Sequence, residues 1–309
     1  MPADFPLFSS HLSKNRSPSY WIVKDNASSR GRNISLFQSS SAFDLPLDVK
    51  VKSPITIQQY IANPLLIKNR KFDLRLYVLI TASPFKVYLY DEGFARFCCL
   101  EYTLDTSQLN NLYIHLTNTS IHCNPANPFS HQIKPPLIDP YCCDVELAKG
   151  NKSSLEAVKM IFQENSLDFS LVWNRIQRLV KKSVQSCSSF ISNLSSFPHS
   201  KLFEIFGFDV LIDSDLKPVL LEVNSSPSLA VFNDLDQSIK ESMIADAIQL
   251  MKPVEYDVSV LKKEIQWYEK SLVDGYSVEK ANSFCSSLFK GRTKLFDLES
   301  RVGRWNCLL

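Results

Sequence analysis

The most regular alternation of apolar and polar positions runs from Phe203 to Asn224. It reads as two short strands joined by a polar turn, Asp213 to Lys217. With Asp213 set opposite Pro218, Phe208 meets Val223, Val210 meets Leu221 and Ile212 meets Val219, an apolar face expected to belong to a core. Elsewhere, Tyr20 to Lys24 is a short buried strand ending in a cation, and a polar loop follows from Asp25 to Asn33 with Arg30-Gly31-Arg32 inside it. Ile55 to Ile61 is a further strand. From Lys71 to Ile80, Phe72, Leu74, Leu76, Val78 and Ile80 share one face and Lys71, Asp73 and Arg75 the other, the pattern of a half-buried strand. Phe85 to Tyr90 pairs with it, Asp91-Glu92-Gly93 reads as a turn, and Phe94 to Phe97 resumes the strand. Three stretches carry helical spacing: Ser154 to Glu164, Leu171 to Phe190, and Leu235 to Met251. The second has a stripe of Val172, Ile176, Leu179, Val180, Val184 and Cys187, and the third one of Ile239, Met243, Ile244, Ala247 and Leu250. Residues 1–19 read as a disordered leader, Asn124 to Lys152 as a Pro-rich loop, and the tail from Pro253 as helical and basic stretches without assignable chemistry.

The polar face of the Phe203 to Asn224 hairpin carries the candidate chemistry. It sets Asp209 opposite Glu222, with Asn224 about 6.6 Å further along the same face. Facing carboxylates repel, and a cation between them removes the repulsion. Two carboxylates and one amide make an all-oxygen donor set, suited to magnesium with phosphate oxygens and water in its remaining positions. The bland reading of the same residues is the solvated face of an edge hairpin.

The chain has 309 residues, 45% hydrophobic and 21% charged with a net charge of +2, which fits a globular protein of about two domains and gives no reason to expect a polyanionic partner. No apolar run of about 18 residues occurs and the N-terminus lacks a signal-peptide core, so neither a membrane partner nor a membrane span is expected. The eight cysteines include the pairs Cys98–Cys99 and Cys142–Cys143 but no C-x-x-C spacing, which reads as reduced cytosolic thiols.

The run Leu220-Leu221-Glu222-Val223-Asn224-Ser225-Ser226-Pro227-Ser228-Leu229 resembles the signature of the tubulin–tyrosine ligase-like family, a branch of the ATP-grasp ligases, and the chain as a whole is most similar to its polyglutamylase branch. Lys71-Phe72-Asp73-Leu74-Arg75, Tyr113 to Asn118, and Leu235 to Lys240 resemble further family motifs, and the likeness spans roughly residues 20 to 250. The resemblance implies an α+β ATP-grasp fold, with nucleotide between two sheet-containing lobes and a helical C-terminal extension. Residues 20–70 would form the central lobe, 71–232 the catalytic lobe and 233–309 the helical region. It implies ATP and Mg2+ as cofactors, with Asp209, Glu222 and Asn224 on the metal. Lys24 would take the α/β-phosphates, and Arg30 lies in a segment like the family's Arg-Gly-x-Gly-Ile loop. Gln58, Gln59 and the backbone of Tyr60 and Ile61 would lie along the adenine, Lys71 and Asp73 near the nucleoside, and Thr117 and Asn118 along the cleft. Arg75 would reach the γ-phosphate and Arg96 a substrate carboxylate. His115 reads as a packed core histidine, not a catalyst.

The implied activity is ATP-dependent addition of free glutamate to glutamate side chains of tubulin C-terminal tails, on microtubules in the cytoplasm, cilium or basal body, with no nucleic-acid partner. Two features depart from the family pattern: Asp25 stands where a Pro is usual and Asn33 where a second Gly is usual, although Asn tolerates positive φ. With only 23 residues before Lys24, they motivate a second reading, a catalytically impaired tubulin-binding relative. A third is an ATP-grasp ligase with a non-tubulin acidic substrate.

Overall fold

The computed structural model describes residues 4, 6–8, 10, 19–26, 33–39, 54–82, 84–122, 128, 151–187, 202–251, 266, 270 and 300–309. Arg30, Cys142, Cys143, most of the Pro-rich loop and most of the tail beyond Pro253 lie outside the described residues. The fold is α+β. A three-stranded antiparallel sheet has the order β2–β1–β3, from Ile34–Ser39 (β2), Ser19–Asp25 (β1) and Ile55–Gln59 (β3). Two short helices, Leu112–His115 (α1) and Thr119–His122 (α2), precede Leu155–Glu164 (α3), Phe169–Gln185 (α4) and Asp234–Met251 (α5).

The second sheet uses Leu66–Ile67 (β4), Arg70–Ala82 (β5), Phe85–Phe97 (β6), Lys152–Ser154 (β7), Phe203–Ile212 (β8), Pro218–Asn224 (β9), Arg301–Val302 (β10) and Trp305–Cys307 (β11). Its order is β10–β11–β6–β5–β8–β9, with β4 beside β5 and β7 beside β6. The chain divides into two compact units, Met1–Tyr77, Glu92–Val180 and Gly207–Ile239 in one, and Val78–Asp91, Lys181–Phe206 and Lys240–Leu309 in the other.

In the first unit the small sheet is covered on both faces, which explains the unbroken apolar run Tyr20 to Val23 within β1. Ile22, Leu36 and Tyr60 pack with Leu109 and Leu116 on one side. Trp21, Val23 and Phe37 pack on the other, where Phe8, expected in a loose leader, sits edge-on to Trp21 with ring centroids 5.0 Å apart. Asn33 adopts φ +55°, the left-handed conformation that Asn tolerates, and its amide donates to the Asp25 carboxylate at 3.3 Å.

Strand β5 departs from the half-buried expectation. Its polar positions Lys71 and Asp73 are as buried as Phe72 and Leu74, because β5 lies between β6 and β8 and those charges face partners instead of water. The expected turn at Asp91-Glu92-Gly93 is also absent, and β6 runs unbroken through all three residues. Glu92 is buried, and its carboxylate accepts from Gly93 N at 2.9 Å and from Leu155 N at 2.8 Å. With Ser154 Oγ accepting from Ala157 N, it satisfies the orphan donors at the start of α3 and places negative charge at the positive end of the helix. Gly93 is required by close approach, since a Cβ there would lie 2.5 Å from the Arg75 carbonyl oxygen.

The β8–β9 hairpin keeps the expected pairs Phe208–Val223 and Asp209–Glu222, and Gly207 faces Asn224. Beyond Asp209 a bulge shifts the register by one, so Val210 pairs with Leu220 and Ile212 with Pro218, not with Leu221 and Val219. The turn is the cause. Asp213 N bonds Lys217 O, and Asp213 Oδ1 accepts from Asp215 N and Lys217 N, which closes the loop one residue earlier and leaves an extra residue for the strand to absorb. Val223 is 45% exposed and is not core, since β9 ends the sheet. On the α4 stripe Val172, Ile176, Val180 and Val184 are buried, and Cys187 is exposed.

In the second unit, α5 ends near a hairpin of β10 and β11 where helix was expected. Trp305 is fully buried, donates its indole N–H to Met243 O at 3.2 Å and pairs with Tyr90 across β11 and β6. Asp246 accepts from Tyr90 Oη and from Arg304 N. The described cysteines Cys98, Cys99, Cys187 and Cys307 are free thiols.

Because the atom that a Gly93 side chain would strike is backbone, it cannot rotate aside. Gly93→Ala is expected to lower unfolding free energy by about 3 kcal/mol, measured by urea denaturation. A loss below about 0.5 kcal/mol would show that β5 and β6 can part at no cost.

Candidate active site

Three neighbouring strands bring four opposite charges into one buried ladder. Arg96 on β6 donates Nε to Asp73 Oδ1 at 2.7 Å and Nη2 to Asp73 Oδ2, and Nη2 also reaches Asp209 Oδ2 at 2.9 Å. Arg75 on β5 donates Nε to Asp209 Oδ1 at 2.5 Å and Nη2 to Oδ2 at 3.0 Å. Both arginines therefore use the planar fork that matches a carboxylate. Asp73 and Asp209 are each 2% exposed, so these charges are sustained by pairing and not by solvent. Burial alone would push the Asp209 carboxyl up, but Arg96 and then Arg75 outweigh it and hold it below its usual range. Burial likewise opposes the Arg96 charge, and Asp73 and Asp209 more than offset it. Thr117 Oγ1 donates to Asp73 Oδ2 at 2.7 Å, and the Asn151 amide holds the Thr117 and Phe97 carbonyls at 2.9 and 3.0 Å.

Glu222 and Asn224 complete the cluster from β9. Asn224 Nδ2 lies 3.3 Å from Glu222 Oε1 and 3.5 Å from Asp209 Oδ2. Glu222 is an exposed residue, yet partial burial of its carboxyl, and then the Asp209 charge beside it, raise its pKa. Asp209 stays ionised because the arginines hold it, and its charge then disfavours ionisation of Glu222 opposite. Among the described residues no group of three or more His, Cys, Asp or Glu side chains is placed to hold a metal. The set here is two carboxylates and an amide that turns its nitrogen to them; with the amide rotated to present its oxygen, all three suit a hard cation that takes further ligands from phosphate and water.

A second cluster surrounds Lys71. Its ammonium donates to Tyr60 Oη at 2.9 Å and to the His115 carbonyl at 2.8 Å, and lies 4.4 Å from the Tyr60 ring centroid. Burial lowers Lys71 to about 8, and the Lys24 charge pushes it the same way. His115 Nε2 donates to the Gln108 carbonyl, so Nδ1 is the acceptor for Tyr60 Oη at 3.2 Å. Burial and the Lys71 charge lower His115 to about 4, which makes it a neutral, packed histidine as expected.

The remaining candidates are peripheral to these clusters. Lys24 Nζ donates to Gln58 Oε1 at 3.3 Å across β1 and β3. Gln59 ends β3, and Ile61 follows Tyr60, whose N–H is engaged by Tyr20 O at 2.8 Å and is therefore not on offer to a base. Asn118 heads α2, its carbonyl accepting from Ile121 N. Three contributors escaped the sequence reading. Asn151 falls in what reads as a variable loop, Glu92 in what reads as a turn, and Gly207 in a strand. An isolated glycine inside an alternating strand does signal close approach, and that signal was available for Gly207.

The α+β scaffold, with a carboxylate pair facing across a hairpin and arginine and lysine side chains around it, is the frame expected of an ATP-grasp ligase. The model of the Tubulin-tyrosine ligase family matches residues 1–260, and the chain belongs to that family. It is 40% identical over 251 residues to tubulin polyglutamylase TTLL5 of Homo sapiens, covering 80% of this chain and 18% of that protein. It is 35% identical over 235 residues to tubulin monoglutamylase TTLL4 of Mus musculus, covering 74% and 18%. It is 34% identical over 259 residues to tubulin polyglutamylase ttll6 of Danio rerio, covering 81% and 30%. The chain thus spans less than a third of the length of each of these relatives. No helix among the described residues is long and apolar enough to cross a membrane.

The Asp209–Glu222 repulsion predicts a stabilising variant. Because the folded Glu222 value is raised above the ordinary 4.5, the wild type loses stability as pH rises through that window, and a glutamine does not. In the absence of divalent cations, Glu222→Gln should raise the melting temperature by roughly 2 °C at pH 7, with the gain vanishing below pH 4.5. Added Mg2+ should raise the wild-type melting temperature and leave the variant's unchanged. A variant less stable than wild type at pH 7 would contradict this account of the pair.

Proposed function

We propose that the protein is an ATP-dependent carboxylate–amine ligase that adds glutamate to glutamate side chains in tubulin C-terminal tails, and that it works at the microtubule cytoskeleton. One observation carries the reading: Asp209 and Glu222 face each other across the hairpin with Asn224 beside them, a site short of positive charge and bordered by Arg75. Relatives named as tubulin polyglutamylases and monoglutamylases support the choice of tubulin as substrate.

Asp209, Glu222 and Asn224 would hold magnesium. When bound, that ion neutralises phosphate charge and orients the phosphates for in-line attack. The chain's own residues do the rest. The Lys24 side chain, at the end of β1, offers a point charge to the phosphates. Lys71 presents an ammonium already stripped of water, which strengthens its attraction to an anion. Arg75 is directed at Asp209 through Nε and Nη2, and a guanidinium has further donors with which to take a phosphoryl oxygen. Arg96 is engaged by Asp73 and Asp209, and in this reading it positions both carboxylates, while contact with a substrate carboxylate requires a donor beyond those two pairs.

The reaction runs in two steps. A carboxylate oxygen of the acceptor glutamate attacks the γ-phosphorus, ADP leaves, and an acyl-phosphate forms. The amine of free glutamate then attacks the acyl carbon, inorganic phosphate leaves, and the nitrogen loses a proton. No enzyme nucleophile is needed, so catalysis rests on positioning and charge stabilisation.

Purified protein given ATP, Mg2+, labelled glutamate and tubulin should incorporate label, and Glu222→Gln should abolish incorporation. A folded wild type that ligates no amino acid to tubulin, while still binding to microtubules, would replace this reading with that of a non-catalytic tubulin-binding relative. The Lys71 environment adds a pH test. The ammonium is present below about 8 and is lost above it, so ATP affinity measured by calorimetry should weaken as pH rises from 7 to 9. Lys71→Met should bind weakly at every pH across that range. A wild-type affinity that does not change with pH would remove Lys71 from the nucleotide site.

A further inference from the structure

We propose that Gly207 is a positioning residue for Arg75: the absence of a side chain there is what lets the Arg75 guanidinium seat on Asp209. The inference rests on the proposed function for its catalytic consequence, but not for its packing. Glycine weakens a strand interior, so its presence in β8 calls for a reason. Gly207 pairs with Asn224, two residues before the Asp209–Glu222 pair on the same face. In place of a side chain at 207, the Arg75 stem crosses that position. A Cβ built on Gly207 would lie 3.2 Å from Arg75 Cδ, 3.3 Å from Arg75 Nε and 3.1 Å from Pro227 Cβ.

Each of these neighbours is restrained. Proline has a rigid ring, and the segment after β9 is tied down where Phe232 N donates to Asp236, itself paired with Lys152 at 2.9 Å. On its other side Arg75 is closed in by Gly93 of β6, whose missing Cβ admits the Arg75 carbonyl. Arg75 therefore sits between two glycines, one on each flanking strand. Gly93 accommodates its main chain, and Gly207 accommodates its side chain. The Nε atom that a methyl at 207 would crowd is the same atom that donates to Asp209 Oδ1 at 2.5 Å. Where the Arg75 stem gives way by a few tenths of an ångström, that bond is disturbed and the guanidinium turns away from the geometry it shares with the carboxylate.

The test is a double-mutant cycle on the ligand-free protein, followed by kinetics. Gly207→Ala should lower the melting temperature by a few degrees in the wild-type background. In an Arg75→Ala background the same change should cost clearly less, because only the 3.1 Å approach to Pro227 Cβ then remains. In the ligation assay Gly207→Ala should reduce kcat about tenfold, with KM for ATP little changed, since a small misplacement of a catalytic group costs rate more than binding. A Gly207→Ala penalty of equal size in both backgrounds would assign the contact to Pro227 and overturn the packing claim. Coupling in the cycle with an unchanged kcat would overturn the positioning role. Absence of ligation by the wild type would overturn the proposed function, and the catalytic consequence with it, while the cycle would still decide whether Gly207 seats Arg75.

Discussion

The buried ladder Asp73–Arg96–Asp209–Arg75 is the constraint on which the rest of the site depends. Burying an isolated charge is prohibitive, and burying four is tolerable only when each faces an opposite partner with hydrogen-bond geometry. This requirement ties β5, β6 and β8 together through their polar side chains as well as their backbones. It also explains why β5 can be buried on both faces while carrying Lys71, Asp73 and Arg75. Removing Arg96 leaves Asp73 without its cation and removing Asp209 leaves Arg75 without its carboxylate, so the ladder specifies a single arrangement more than it stabilises the fold.

From that ladder the site extends outward in one direction. Asp209 is shared, with its oxygens turned to the arginines and its position in β8 set against Glu222 of β9. The interior is thus balanced in charge, and the excess negative charge appears at the edge strand, where solvent can reach. The raised Glu222 and the lowered Asp209 express that gradient: the acid surrounded by arginines stays ionised, and the one facing outward bears the repulsion. Lys71, roofed by Tyr60 and held by the His115 carbonyl, forms a separate cationic element of the same unit.

Much of this was legible in the residues. The alternation from Lys71 to Ile80 located β5, the facing of Asp209 and Glu222 followed from the hairpin pattern, and positive φ at Asn33 was foreseeable from the tolerance of Asn. The failures were of two physical kinds. Burial of polar residues is invisible when their partners are distant in sequence, so Asp73 looked solvated although Arg96, 23 positions away, covers it. Local chemistry was also misread where tertiary contacts overrode it. Asp91-Glu92-Gly93 has the composition of a turn, but Glu92 is required by the start of α3 and Gly93 by the Arg75 carbonyl, and the strand continues through both. The hairpin register failed only where the Asp213 turn closed a residue early, and the bulge confined the error to the apolar end.

The elements that carry the chemistry were set locally, because alternation at period two and spacing at three and four residues are properties of neighbours along the chain. So were the donor types at the hairpin, since Asp, Glu and Asn are present in any fold. Which charges neutralise one another, which glycines leave room for a crossing side chain, and which acid stays exposed were fixed by the folded arrangement. Those depend on strands far apart in sequence coming within hydrogen-bond distance, and pairing energy falls off too steeply with separation for local pattern to record it.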